Sequence, residues 1–250
     1  MTTSIGQELH ISDAEWQERI NLAACYRLLA LYGWDDVIYN HASVRVPGEP
    51  TMFLMKAHTL LYQEVTASNL VKVSMHADLD ESSGVNRPGF TLHGGIYLAR
   101  PDVYSAVHVH TQTGQAISIL QCGLLMISQS AMRFYNRLGY HPYEGLTDAF
   151  TERPRIAANL AQHRALIMEN HGVLTVGTTV RESFILLKYL LDAAQIQLQV
   201  QASGQALRFI PEDICEKTAA QYTKHDQGRG ADDWPAYLRK LDLIDTSYRN

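Results

Sequence analysis

Apolar residues recur at helical spacing near the start of the chain, at Trp16, Ile20, Ala23, Ala24, Leu28 and Leu31. Ser12 followed by Glu15 marks the start of this helix and Gly33 its end. The pattern then changes to short alternating runs. "ASVRV" (42–46) and "TMFLM" (51–55) flank a Pro-Gly-Glu-Pro turn and predict a strand pair, with "LVKVS" (70–74) as a third strand. Helical spacing returns from Phe90 to Ala99 and stops at Arg100-Pro101, after which "YSAVHVH" reads as a strand and "TGQAISIL" as a helix. "LLMI" (124–127) reads as a short apolar strand, and Phe134 to Tyr143 as an irregular aromatic stretch. Residues 151–163 look helical, and "ALIME" and "VLTVG" read as strands meeting at Asn170-His171-Gly172. A long helix over about 180–202 ends near Gly204; Pro211 opens another, and a last one starts near Trp234-Pro235. No repeat or composition break divides the 250 residues, so the pattern predicts a single α/β domain over 1–250 with a helical C-terminal end from about 205.

Composition narrows the classes. With 46% hydrophobic residues the chain can bury a sizeable core. No apolar run reaches the roughly 18–20 residues of a spanning helix, and "MTTSIGQELH" lacks the charged-then-apolar pattern of a secretion signal, so a cytoplasmic protein without a membrane partner is expected. The net charge of −5 comes without any basic block that could follow a phosphate backbone, which argues against nucleic acid. Cys25, Cys122 and Cys215 form no CxxC pair and read as small core residues. The compositional oddity is the 11 histidines.

His108 and His110 stand two apart at the end of a strand, so their side chains leave the same face about 6.6–6.8 Å apart along the backbone. Such a pair can clamp one ion; it can equally be two hydrogen-bonded core histidines. His171 sits at a tight turn between two apolar runs, where a side chain can project into a cleft or face solvent. Three neutral imidazoles on one ion would leave positions open for substrate, the arrangement of a catalytic metal site.

The stretch "GFTLHGGIYLARPDVYSAVHVHTQTGQAISIL", followed about sixty positions later by "ALIMENHGVLTVG", resembles the class II aldolase/adducin family, which includes the fuculose-phosphate and ribulose-phosphate aldolases. The likeness runs from the first helix to at least residue 204. It implies an α/β fold in which a single αβα domain surrounds a central mixed, mostly antiparallel sheet. It also implies one divalent metal per chain, zinc ahead of iron(II) or manganese, on His108, His110 and His171, and a homo-oligomer, a tetramer by resemblance, with sites between subunits.

The sequence departs from the family where the chemistry is done. The catalytic glutamate four positions before the histidine corresponding to His93 is replaced by Gly89, and a glycine moves no proton. The phosphate-binding Gly-Asn-x-Ser pattern becomes "NHAS" (40–43), the Thr-Gly loop becomes His58-Thr59, and the Ser-Ser dipeptide becomes Arg87-Pro88. Loss of these small donors points to an unphosphorylated, acidic or aromatic substrate, and Arg87, Arg45 or Lys56 could bind a carboxylate instead of a phosphate. His41, His58, Arg87, Gln129 and His93 are therefore assigned to substrate binding. Gln129 stands near the place of a tyrosine that donates a proton in some members; Tyr135, Tyr140, Tyr143, Tyr222 and Tyr237 remain as replacements. Glu144 is the candidate for a catalytic carboxylate, ahead of Glu169. The functions that follow are a metal-dependent carbon–carbon lyase of aldolase or decarboxylase type on a small oxo or hydroxy acid, a non-haem iron oxygenase on an aromatic oxo acid as in a few relatives, or an adducin-like domain without chemistry.

Overall fold

A computed structural model describes residues 11–78, 84–146, 150–227 and 233–250. Its frame is a sheet of seven strands in the order β3-β2-β1-β4-β7-β6-β5, with β1 at His41–Val46, β2 at Glu49–Lys56, β3 at Leu70–Ser74, β4 at Ser105–Val109, β5 at Leu138–His141, β6 at Ala165–Met168 and β7 at Gly172–Gly177. Every pairing is antiparallel except β5 with β6. The helices are α1 (Asp13–Leu31), α2 (Arg87–Ala99), α3 (Gln112–Ile119), α4 (Arg153–Leu160), α5 (Val180–Ala202), α6 (Glu212–Gln227) and α7 (Asp233–Asp242). None of the described helices is long and apolar enough to cross a membrane.

Alternation along the strands makes two cores, as side chains on a strand point to opposite faces in turn. Ala42, Val44, Val107, Val109, Ile167 and Val173 pack with α1 and α5. Ala106, Leu166, Leu174 and Val176 pack on the other face with Phe90 and Ile96 of α2 and Ile156 and Leu160 of α4. The result is an αβα sandwich. On β1 and β4 the second face also carries buried polar residues, His41, Ser43, Arg45 and His108. A buried polar group is costly unless it is hydrogen-bonded, and the strands hold these four in an apolar layer where each has a partner.

Capping fixes the helix that covers this face. The Asn86 side chain accepts from the Gly89 amide and Pro88 occupies the first turn, so α2 starts at Arg87, three residues before the apolar periodicity at Phe90. Ser12 caps α1 through the Glu15 amide, as its sequence suggests.

Three elements differ from the sequence reading. Residues 124–127 are not a strand: the Leu124 amide donates to the Tyr140 hydroxyl and the Leu125 amide to Gln197 Oε1, so side chains satisfy the backbone that a ladder would otherwise pair. Within the stretch 134–143, which reads as irregular, Leu138–His141 forms edge strand β5 beside β6. Its Leu-Gly-Tyr-His sequence has no β-branched residue to announce a strand. The helix expected over 151–163 is shorter, ending at Leu160 before Ala161 turns to φ 44°.

Candidate metal centre

Three segments converge at one end of the sheet. β4 delivers His108 on the α2 face and His110 just past its end; the β6–β7 turn delivers His171. In that turn Asn170 takes a left-handed φ of 55°, and a Cβ at Gly172 would lie 2.5 Å from the Val109 carbonyl oxygen, so only glycine lets β7 pass this close to β4. The Asn40 side chain accepts from the His110 amide at 2.9 Å and donates to the Trp34 carbonyl at 2.7 Å, tying the strand end in place.

The ring nitrogens meet. His108 Nε2 lies 2.8 Å from His110 Nε2, which lies 2.9 Å from His171 Nε2. On the far side of its ring, His108 Nδ1 lies 3.0 Å from the Val173 carbonyl oxygen and must carry the proton, because a carbonyl only accepts. His110 Nδ1 faces Asp36 Oδ2 at 3.4 Å, which selects the same tautomer. Nε2 of both rings then presents a lone pair, and two lone pairs 2.8 Å apart repel each other unless both bind a cation beside them. A proton is disfavoured. Burial, reinforced by the neighbouring imidazoles, holds His108 well below the ordinary histidine range, and burial likewise lowers His110; His171 is brought to about 4 by burial and by His110 and His141. The donor set therefore fits a divalent ion of the zinc, iron or manganese type.

A cavity of about 540 Å³ opens over these nitrogens. Its wall includes Asp36, Tyr39, His41, Asn86, Pro88, Leu92, Gln115, Tyr143, Leu146 and Asn170. Among the described residues that line it there is no lysine or arginine. A larger cavity of about 630 Å³ lies elsewhere, between α5, α6 and α7, but its Arg133, Arg164 and Arg181 are ion-paired with Asp226, Glu182 and Asp233. A second histidine–carboxylate group, His141, Glu144 and Glu152, comes within ligand distance, with its Glu144 engaged by Arg155.

The other sequence candidates are distributed unevenly. His41 is in the cavity wall; His93 stands one layer behind it, fully buried, with its Nε2 2.9 Å from His41 Nδ1. His58 is off the wall, against Asn86 and Tyr39, which are on it. Arg87 is exposed at the start of α2 with its guanidinium over the Phe150 ring, and Gln129 is exposed before the turn at Ser130–Phe134; neither reaches the cavity. Glu144 is also outside it. Arg155 donates to both of its oxygens at 2.8 Å and holds it below the ordinary carboxylate range, which leaves it a poor proton acceptor. Glu169 is absent from the wall as well.

Arg45 and Lys56 are structural. Arg45 donates to the carbonyls of Val103 and Pro50, and Lys56 to those of Ala57, His58 and Leu60. Of the five tyrosines only Tyr143 borders the cavity. Sequence reasoning missed Asp36, Asn40, Gln115 and Asn170. Asn40 could have been found, because it opens the "NHAS" stretch; Asp36 sits in a loop with no pattern to mark it.

A family model described as the class II aldolase and adducin N-terminal domain matches residues 20–198. An aldolase II superfamily protein from Pseudomonas syringae has the same fold with a TM-score of 0.91 and 40% identity, over 98% of this chain and 100% of that one. L-fuculose 1-phosphate aldolase from Glaciozyma antarctica PI12 superimposes with a TM-score of 0.82 at 27% identity, over 100% and 97%. Alpha-adducin from Rattus norvegicus is 45% identical over 191 residues, 74% of this chain but 26% of that protein. The fold is that of the class II aldolases. The chain belongs to the class II aldolase and adducin family.

Proposed function

We propose that the protein is a divalent-metal-dependent carbon–carbon lyase, of aldolase or decarboxylase type, acting on a small unphosphorylated oxo or hydroxy acid. The observation that carries the reading is the convergence of three ring nitrogens, His108 Nε2 and His171 Nε2 lying 2.8 and 2.9 Å from His110 Nε2. These three side chains would hold one ion per chain, zinc being the first candidate. Such an ion supplies Lewis acidity, polarising a carbonyl or hydroxyl oxygen of the acid and stabilising the negative charge that bond cleavage develops there.

The chain's own residues supply the rest. Val173 and Asp36 keep the proton of each imidazole on Nδ1, so Nε2 stays available. Pro88, Leu92, Tyr39 and Leu146 give the cavity an apolar lining, while the Gln115 amide oxygen and the Asn170 side chain are polar groups on its wall that can orient a substrate. The lack of arginine and lysine in the described wall supports an unphosphorylated substrate. Glycine at position 89 favours decarboxylation over aldol cleavage, because carbon dioxide departs without a prior proton abstraction.

The reading includes a cytoplasmic homo-oligomer, a tetramer by family resemblance. The identity with alpha-adducin supports a second reading, a binding domain without chemistry. Zinc- or manganese-loaded protein is to be incubated with a panel of 2-oxo diacids and 2-oxo-4-hydroxy acids, reading carbon dioxide or aldehyde release. Turnover abolished by chelation and by His110→Ala supports the lyase; a metal-loaded protein inert to the panel supports the second reading.

A further inference from the structure

Position 89 lies in the first turn of α2, and the space over it is already filled. A Cβ there would sit 2.7 Å from Cδ2 and 2.8 Å from Cγ of His41. The two departures from the family pattern, glycine for glutamate at 89 and histidine for asparagine at 41, therefore fit each other: the imidazole takes the room that a side chain at 89 would need.

Behind this ring runs a buried polar line. His41 Nδ1 is 2.9 Å from His93 Nε2, His93 Nδ1 is 2.5 Å from Ser43 Oγ, and Ser43 Oγ is 2.7 Å from Tyr97 Oη. His93 and Ser43 are fully buried, Tyr97 is 2% exposed, and of the four only His41 reaches the cavity wall. The His41 ring also lies 5.0 Å, centroid to centroid, from that of His108. The nitrogen turned away from His93 is Nε2.

We propose that His41 presents an Nε2–H hydrogen-bond donor to the anionic oxygen of a small oxo or hydroxy acid held at the three-histidine centre, and that His93, Ser43 and Tyr97 orient it. The inference rests on the metal-site reading above. Each link of the line needs one donor and one acceptor, and four neutral groups can satisfy all three links in either direction. Only one direction suits an anion in the cavity. Tyr97 O–H donates to Ser43 Oγ, Ser43 O–H to His93 Nδ1 and His93 Nε2–H to His41 Nδ1, which leaves the His41 proton on Nε2. The reverse direction would aim a lone pair at a negatively charged oxygen. His93, Ser43 and Tyr97 are positioning residues, fixing which nitrogen of His41 carries the proton.

Acetohydroxamic acid, a small chelating anion, serves as the probe. Its binding to zinc-loaded wild type and zinc-loaded His41→Phe is to be measured by calorimetry, with zinc content determined on the same samples. Phenylalanine keeps the ring that packs over Gly89 and removes the donor. Zinc should be retained in both, with affinity about 10- to 100-fold weaker in the variant, as expected for loss of a hydrogen bond to a charged group. In the wild-type complex, long-range nitrogen–proton NMR spectra should place the proton on Nε2 of both His41 and His93, a result that does not depend on the variant folding. Unchanged affinity with zinc retained, or a His41 proton on Nδ1, overturns this inference alone. Failure of the wild type to hold zinc overturns it together with the reading of the site.

Discussion

Asn40 Oδ1 accepts the main-chain N–H of His110 at 2.9 Å, across 70 residues of sequence. The bond joins the approach to β1 to the end of β4 where two of the three candidate ligands stand. Both ends of the Asn40 amide are used, since its nitrogen donates to the Trp34 carbonyl, and the residue is 1% exposed. Asn40→Ala should leave a buried donor and a buried acceptor unpaired, costing about 1–3 kcal/mol of stability. Because it holds His110 in place, the same change should weaken metal binding about 10- to 100-fold. Urea unfolding and metal titration check the two parts separately; a variant with wild-type metal affinity would show that the ring positions itself.

The packing of His41 on Gly89 gives a prediction whose sign is opposite to the usual one. Glycine to alanine inside a helix ordinarily stabilises by about 0.5–1 kcal/mol. Here the added methyl meets a ring fixed by its bond to His93, so Gly89→Ala should destabilise by about 1–3 kcal/mol. In the His41→Ala background the penalty should disappear. A double-mutant cycle by thermal unfolding reads the coupling directly, and additive effects would refute the contact.

Buried histidines make the metal-free protein sensitive to acid. Burial takes His93 down to about 3, lowers His41 and His108 well below the ordinary value, and with His110 and His141 takes His171 to about 4. The unfolded chain, with histidines near 6.5, binds more protons than the folded one between roughly pH 6.5 and these lower values. Stability is thus complete above about pH 6.5 and is lost as pH falls through that window, by up to about 1.4 kcal/mol per pH unit for each such group. Denaturant unfolding of chelator-treated protein at pH 7.5, 6.0 and 5.0 should show a steep decline; a flat profile would mean that these rings are protonated in the fold.

Glu144 illustrates where the sequence misleads. Its carboxylate is paired with Arg155 outside the cavity, so Glu144→Gln should change turnover by less than about two-fold once an activity is assayed, whereas a proton-transferring carboxylate would cost about 100-fold or more. Steady-state kinetics of the single variant decides this.

The sequence announces the three-histidine cluster more clearly than the cavity around it. His108 and His110 are legible because strand periodicity forces both onto one face, and His171 because "ENHG" can only be a tight turn between two apolar strands. The helices were legible from caps and periodicity, down to the long α5 and its end near Gly204. What was hidden depends on contacts between distant segments. Nothing local in "WDDV" indicates that Asp36 faces His110, and nothing in "PGF" shows that His41 fills the space over Gly89. Strand β5 was hidden for a related reason: its pairing with β6 comes from a neighbour and not from the residues of Leu138–His141.

His108, His110 and His171 are proposed to hold one divalent ion. The most direct measurement is metal content by mass spectrometry on protein purified anaerobically without an affinity tag, for wild type and His110→Ala in parallel. About one zinc, iron or manganese per wild-type chain and nearly none in the variant are expected, with far-ultraviolet circular dichroism unchanged. A folded wild type that carries no ion and takes up none from excess zinc, iron(II) or manganese would contradict the proposal.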